Sequence, residues 1–150
     1  MNLAVASDHA GFPLKARVIE SLRSAGHQVT DLGTASTEPV DYPDFARAIA
    51  DAILTGRAER AVLLCGSGAG ACVAANKFRG IRAATCHDSF SARQGVEDDD
   101  LNVLCLGARV IGPELAVDLV SDFVNAHFSG AERHCRRLAK VAGFEADFGK

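Results

Sequence analysis

Ala61-Val-Leu-Leu-Cys65, followed by Gly66-Ser-Gly-Ala-Gly70 and then Ala71-Cys-Val-Ala-Ala-Asn-Lys77, is the stretch that decides the fold. A short apolar run, a glycine-rich turn and an alanine-rich segment read as strand, loop and helix. Three glycines let the backbone turn tightly and aim successive N–H groups at one spot. The helix adds its positive end, so Gly66, Ser67, Gly68, Ala69 and Gly70 suit an anion or a developing oxyanion. Cys65 stands at the rim of that field, where a thiol is readily converted to the thiolate that acts as a general base. Ser67 adds a hydroxyl donor. The same residues also fit a plain βα turn with a buried cysteine. Gly66-x-Gly68-x-x-Ala71, with Asp88 downstream, loosely matches a dinucleotide fingerprint. That fingerprint normally follows the first strand of its unit, whereas this loop follows the third.

Working outward, short apolar runs alternate with longer segments of helical period, which predicts an α/β fold with a five-stranded parallel sheet. The strands are expected over 3–7, 28–32, 61–65, 82–86 and 102–106. Pro13 opens a helix that Gly26 stops, and Asp41-Tyr42-Pro43 leads into one ending near Gly56. Ser89 is placed to cap a helix running to Glu97, and Gly112-Pro113 opens one reaching about His127. A basic helix is expected over about 131–142. In a doubly wound sheet, ligands bind beyond the C-terminal strand ends.

The chain has 150 residues, 48% hydrophobic and 23% charged, which fits one domain over 1–150 rather than two. A net charge of -3, with no basic block interleaved with aromatics, argues against a nucleic-acid partner. No apolar run approaches a membrane span and the start lacks a signal-peptide pattern, so a cytoplasmic protein is expected. Five scattered cysteines without a CxxC pair suit reduced thiols better than bridges or a metal site. All but Cys65 are expected to be small buried apolar side chains.

Two further strand-end groups stand out. Asp8 and His9, leaving the first strand, can bind sugar hydroxyls and a phosphate, or form an ordinary turn. Arg109, and Arg133 with Arg137 on one helix face, can hold a phosphate by charge-assisted bonds or form a solvated basic surface.

The chain resembles the ribose-5-phosphate isomerase B family, which includes the galactose-6-phosphate isomerase subunits. The stretches that carry the resemblance are SDHAGFPLK at 7–15, DLGT at 31–34, DYPDFA at 41–46, CGSGAGACVAANKFRGIRAATCHD at 65–88, LNVLCLGARVIG at 101–112 and ERHCRRL at 132–138. It implies a Rossmann-like αβα sandwich, a homodimer or homotetramer with active sites at the dimer interface, and aldose–ketose isomerisation of a sugar phosphate without metal or cofactor. Cys65 then matches the proton-abstracting cysteine, and Gly66 through Gly70 match the loop that stabilises the enediolate. Asp8, His9, Asp99, Arg109, Arg133 and Arg137 fall at substrate-binding positions. Some members place a glutamate base just beyond the loop, where this chain has Ala71.

One position departs from the family pattern. Where many members carry a histidine that helps open the furanose ring, this chain has Asp98. An aspartate is ordinarily ionised at neutral pH and donates protons poorly. Glu97, Asp99 and Asp100 beside it work against that ionisation. Asp98 therefore still shuttles a proton, or ring opening is slow, left to solvent or unnecessary, or the acidic run 97–100 is a solvated helix end that tolerates the change. A tetrose with phosphate on O4 cannot close a five-membered ring, so erythrose 4-phosphate/erythrulose 4-phosphate stands beside ribose 5-phosphate. A nucleotide-binding module and a catalytically impaired paralogue are the alternatives from other classes.

Overall fold

A computed structural model of the chain describes residues 1–148; the last two residues of the expected 1–150 domain lie outside the described ones. Five strands, β1 (Asn2–Ser7), β2 (Gln28–Asp31), β3 (Arg60–Cys65), β4 (Ala83–Thr85) and β5 (Val103–Gly107), form one parallel sheet in the order β2-β1-β3-β5-β4. Strand alternation divides the interior in two. Leu3, Val5, Val62, Leu64, Leu104 and Leu106 face α1 (Phe12–Ser24), α4 (Ser89–Asp99) and α5 (Pro113–Asn125). Ala4, Ala6, Ala61, Leu63, Cys65, Val103 and Cys105 face α2 (Tyr42–Leu54) and α3 (Ala69–Ala75). The result is the three-layer αβα sandwich expected from the alternating pattern.

The alanine-rich second interior lets α2 and α3 lie close to the sheet, because small side chains allow near backbone approach. That closeness extends to the sheet's C-terminal rim. A Cβ on Gly107 would stand 2.6 Å from the Ser67 backbone, and one on Gly11 would stand 2.5 Å from Leu64. Gly68 adopts φ 84°, the left-handed conformation that glycine reaches without a Cβ penalty, and caps α3. The chain direction diverges between β1 and β3, so their tips flank the crevice where such sheets take ligands.

Several boundaries differ from expectation. β4 is limited to Ala83–Thr85 because it is an edge strand paired only with β5. At its start, Arg82 donates its N–H to the Asn102 side chain at 2.8 Å instead of joining the ladder. α4 is capped by Asp88, whose carboxylate accepts from Ser91 N–H at 2.8 Å, and Ser89 is already helical. α6 (Glu132–Asp147) continues past 142, its end held where Glu145 accepts from Gly80 N–H and Arg79 donates to the Glu145 carbonyl. Among the four cysteines expected to be buried, Cys86 and Cys105 are. Cys135 is exposed on the outer side of α6 and Cys72 is half-buried, since it leans toward the short edge strand.

Candidate active site

Cys65 ends β3 with its register partner Gly107 at the end of β5, while Ser7 of β1 pairs with Leu64. Three strand tips therefore converge, and the chains leaving them carry the candidate groups. The Cys65 sulfur accepts a hydrogen bond from Gly68 N–H at 3.1 Å, so the glycine loop curls directly over it. Although only 5% exposed, Cys65 borders a cavity of about 390 Å³ lined also by Asp8, His9, Tyr42, Gly66, Ser67, Gly70 and Arg109. A second cavity of about 600 Å³ adjoins it and shares His9, Ala10 and Arg109.

Ser67 Oγ accepts from Ala69 N–H at 3.3 Å, which leaves its own proton free to be donated. The Arg109 side chain lies over Gly66: a Cβ there would meet its Cδ and Nη1 at 3.6 Å. Asp8 commits one carboxylate oxygen to the N–H groups of Ala10 and Gly11, both at 2.9 Å, and so fixes the turn that carries His9. His9 Nδ1 lies 3.1 Å from the Val40 backbone, leaving Nε2 as the nitrogen without a backbone partner.

Val40 belongs to the loop between β2 and α2, and that loop is fastened from below. The Lys15 side chain, buried at 6% exposure, donates through its ammonium to Asp31 at 2.8 Å and to the Thr34 carbonyl at 2.6 Å. Replacing Lys15 by methionine strands the carbonyl and leaves Asp31 without its cation, though it still accepts from Gly33 N–H at 3.0 Å. Because Asp31 is partly in water, the expected cost is about 1–3 kcal/mol, below that of a fully buried pair. A lowered urea midpoint, with a higher KM as His9 loses its support, is the expected result.

The structure does not bring every candidate to this cavity. Asp98 contacts Gln94 Nε2 at 3.2 Å and Nδ1 of the buried His134 at 3.4 Å, and Ser129 Oγ lies 2.7 Å from the same nitrogen. Asp99 borders a different groove, beneath α6. Arg133 and Arg137 are exposed on α6. Among the described residues, none of these four lines the cavity at Cys65.

Sequence reasoning missed two participants. Tyr42 was legible only as a helix start, yet its ring covers the loop so closely that a Cβ on Gly70 would be 3.0 Å from Cζ. His87 accepts from Gly107 N–H at 2.9 Å and pins the tip of β5 beside Ser67. A Tyr before Pro and a His after a strand are too common to signal either role alone.

A thiol under a glycine loop, with a hydroxyl, an imidazole and a guanidinium around one small polar cavity, suits an α/β enzyme that moves a proton on a small anionic substrate. Residues 3–141 match the family model described as Ribose/Galactose Isomerase. The chain is 40% identical over 143 residues to ribose-5-phosphate isomerase B of Escherichia coli, covering 95% of each. It is 43% identical over 131 residues to the D-erythrulose-4-phosphate isomerase of Pectobacterium atrosepticum, covering 87% of this chain and 86% of that one. The solved structure of Clostridium thermocellum ribose-5-phosphate isomerase B superposes with a TM-score of 0.96 at 42% identity, over 99% of both chains. This chain belongs to the ribose/galactose isomerase family, whose members interconvert aldose and ketose sugar phosphates.

Proposed function

We propose that the protein interconverts ribose 5-phosphate and ribulose 5-phosphate through an enediolate, with Cys65 moving the proton between C1 and C2. The observation that carries this reading is the Cys65 sulfur, bordering a polar cavity beneath the glycine loop, with Ser67 and Arg109 beside it. Isomerisation needs a base at the carbon and donors at the carbonyl oxygen, and this arrangement supplies both. The Ser67 hydroxyl and the amides of residues 66–70 take the enediolate charge, while His9 and Arg109 orient the sugar. Asp8 holds the His9 turn and presents its second oxygen to a hydroxyl.

A second copy of the chain completes the site as a homodimer or homotetramer, bringing Asp98, Asp99, Arg133 and Arg137 opposite Cys65. Support comes from the position of these four away from the cavity in a single chain. Phosphate held by the arginines then supplies binding energy that positions the reacting carbons. The cysteine set suits a reducing compartment, the cytoplasm. No helix among the described residues is long and apolar enough to cross a membrane.

A tetrose 4-phosphate is the second reading, favoured by the setting of Asp98. Held by Gln94 and His134, its carboxylate is arranged as an acceptor, and a tetrose 4-phosphate has no furanose to open. Comparing kcat/KM on ribose 5-phosphate, erythrose 4-phosphate and hexose 6-phosphates tests both. Highest efficiency on ribose 5-phosphate is expected; no turnover on it overturns the main reading. Asp98→His is expected to raise turnover of ribose 5-phosphate and leave erythrose 4-phosphate unchanged, whereas equal changes on both would remove Asp98 from ring opening. Calorimetric binding of NAD or ATP without any sugar phosphate would restore the nucleotide reading.

A further inference from the structure

We propose that His87 is a proton-sensitive positioning residue: its neutral form seats the tip of β5 against the glycine loop, and a second ring proton releases that seat and lowers turnover on the acid side. The effect on turnover rests on the isomerase reading above, whereas the contact itself does not. A backbone N–H can only donate, so the 2.9 Å contact between Gly107 N–H and Nε2 makes that ring nitrogen the acceptor. The proton of the neutral imidazole is therefore on Nδ1. Protonating Nε2 as well aims two N–H groups at each other across this short distance. Gly107 is buried at the end of β5, and its N–H is then left without an acceptor.

The consequence follows from what Gly107 holds. Its register partner is Cys65. Ala108 N–H donates to the Cys65 carbonyl at 2.9 Å, and Arg109 N–H donates to the Gly66 carbonyl at 3.0 Å. The Gly107 carbonyl accepts from Val110 and Ile111 N–H at 2.9 and 3.1 Å, closing the turn whose Arg109 side chain lies over Gly66. The edge strand also reaches the loop directly: Thr85 Oγ1 donates to the Gly68 carbonyl at 3.1 Å, and Gly68 N–H is the group bonded to the Cys65 sulfur. Because β4 ends at Thr85, the His87 contact lies beyond its ladder with β5. Thr85 and His87 thus brace the loop and the β5 tip from one side.

The charged and titratable groups on the segments that meet at the ring offer a second proton no compensation. Asp88, next in the chain, commits its carboxylate to Ser91 N–H at 2.8 Å as the cap of α4. Burial pushes the Cys86 thiol up to about 11. The end of β3 contributes Cys65, β5 contributes Cys105, α3 contributes Cys72, and the turn after β5 contributes Arg109, whose charge has the same sign as a protonated ring. Among the described residues, no carboxylate forms an ion pair with His87.

Two readouts on the full-length protein separate the contact from the chemistry. Proton–nitrogen correlation spectra of the isotope-labelled imidazole are expected to show Nε2 unprotonated at neutral pH. The Gly107 amide signal is expected to move with the ring as the pH is lowered from about 8 to about 5, the span in which imidazoles change charge. A proton on Nε2 at neutral pH, or a Gly107 amide indifferent to the ring's titration, would overturn the proposal whichever sugar phosphate is turned over. In kinetics, His87→Leu removes the acceptor and is expected to lower kcat by about tenfold or more with KM changed little, since small displacements at a reacting centre have large effects. His87→Gln places an amide oxygen where Nε2 stood, accepts at every pH, and is expected to rescue turnover while flattening the acid-side fall of kcat. Parental kcat in His87→Leu, or an acid limb in His87→Gln identical to the parent's, would place the titration on another group such as Cys65 or Cys72 and overturn the proposal. No turnover of any sugar phosphate by the parent, with both spectral results as expected, would instead remove the isomerase reading and leave the seat standing.

Discussion

Cys65→Ser is expected to lower kcat by about 10²–10⁴-fold, the contribution of a positioned general base, with KM changed little. The substitution keeps the size of the side chain and the hydrogen bond from Gly68 N–H, so the loop above it is retained. What disappears is basicity, because an alcohol ionises far less readily than a thiol. Steady-state kinetics on the best sugar phosphate, alongside unchanged circular dichroism, measures this directly. Turnover equal to the parent's would place the proton transfer on another group, and the remaining candidates on the cavity wall are Asp8 and His9.

Gly107→Ala is the second large effect, and it acts through shape alone. The added methyl would stand 2.6 Å from both the carbonyl carbon and oxygen of Ser67, a backbone contact that no side-chain rotation relieves. The loop must lift away from β5, carrying Ser67 and the amides with it. A shift of about 1 Å in such a group lowers turnover on the order of 10²-fold, so kcat is expected to fall by that amount together with the melting temperature. Gly112→Ala is the control: nothing lies within 4 Å of its Cβ position, and neither quantity should move. A normal kcat in Gly107→Ala would mean that the loop does not need its present seat on β5.

The sheet was legible because Leu3–Ser7, Ala61–Cys65 and Asn102–Leu106 are short apolar runs between unmistakable turn residues, and burial on both faces requires that composition. β4 is shorter at both ends than its composition suggests, since an edge strand is delimited by how far its one neighbour pairs with it, which local composition does not encode. α6 runs to Asp147, beyond the end its sequence suggests, because its last turns are secured by Arg79 and Gly80, more than sixty residues earlier. At the site, Cys65 and its loop are contiguous in the chain and therefore readable. Tyr42 and His87 enter through contacts with Gly70 and Gly107, and such distant pairs leave no spacing to recognise. The partnership of Asp98 with His134 likewise appears only once α4 and α6 lie together.

Gly11, Gly33, Gly68 and Gly107 each meet neighbouring backbone at the same end of the sheet. A rim assembled from main chain has almost no vocabulary for change, because nearly every mutation there inserts atoms where none fit. Diversification toward new sugars must then proceed through side chains on the cavity wall such as Tyr42 and His9. Saturation mutagenesis should accordingly map a rigid, intolerant ring around a permissive fringe, with altered substrate preference arising only from the fringe.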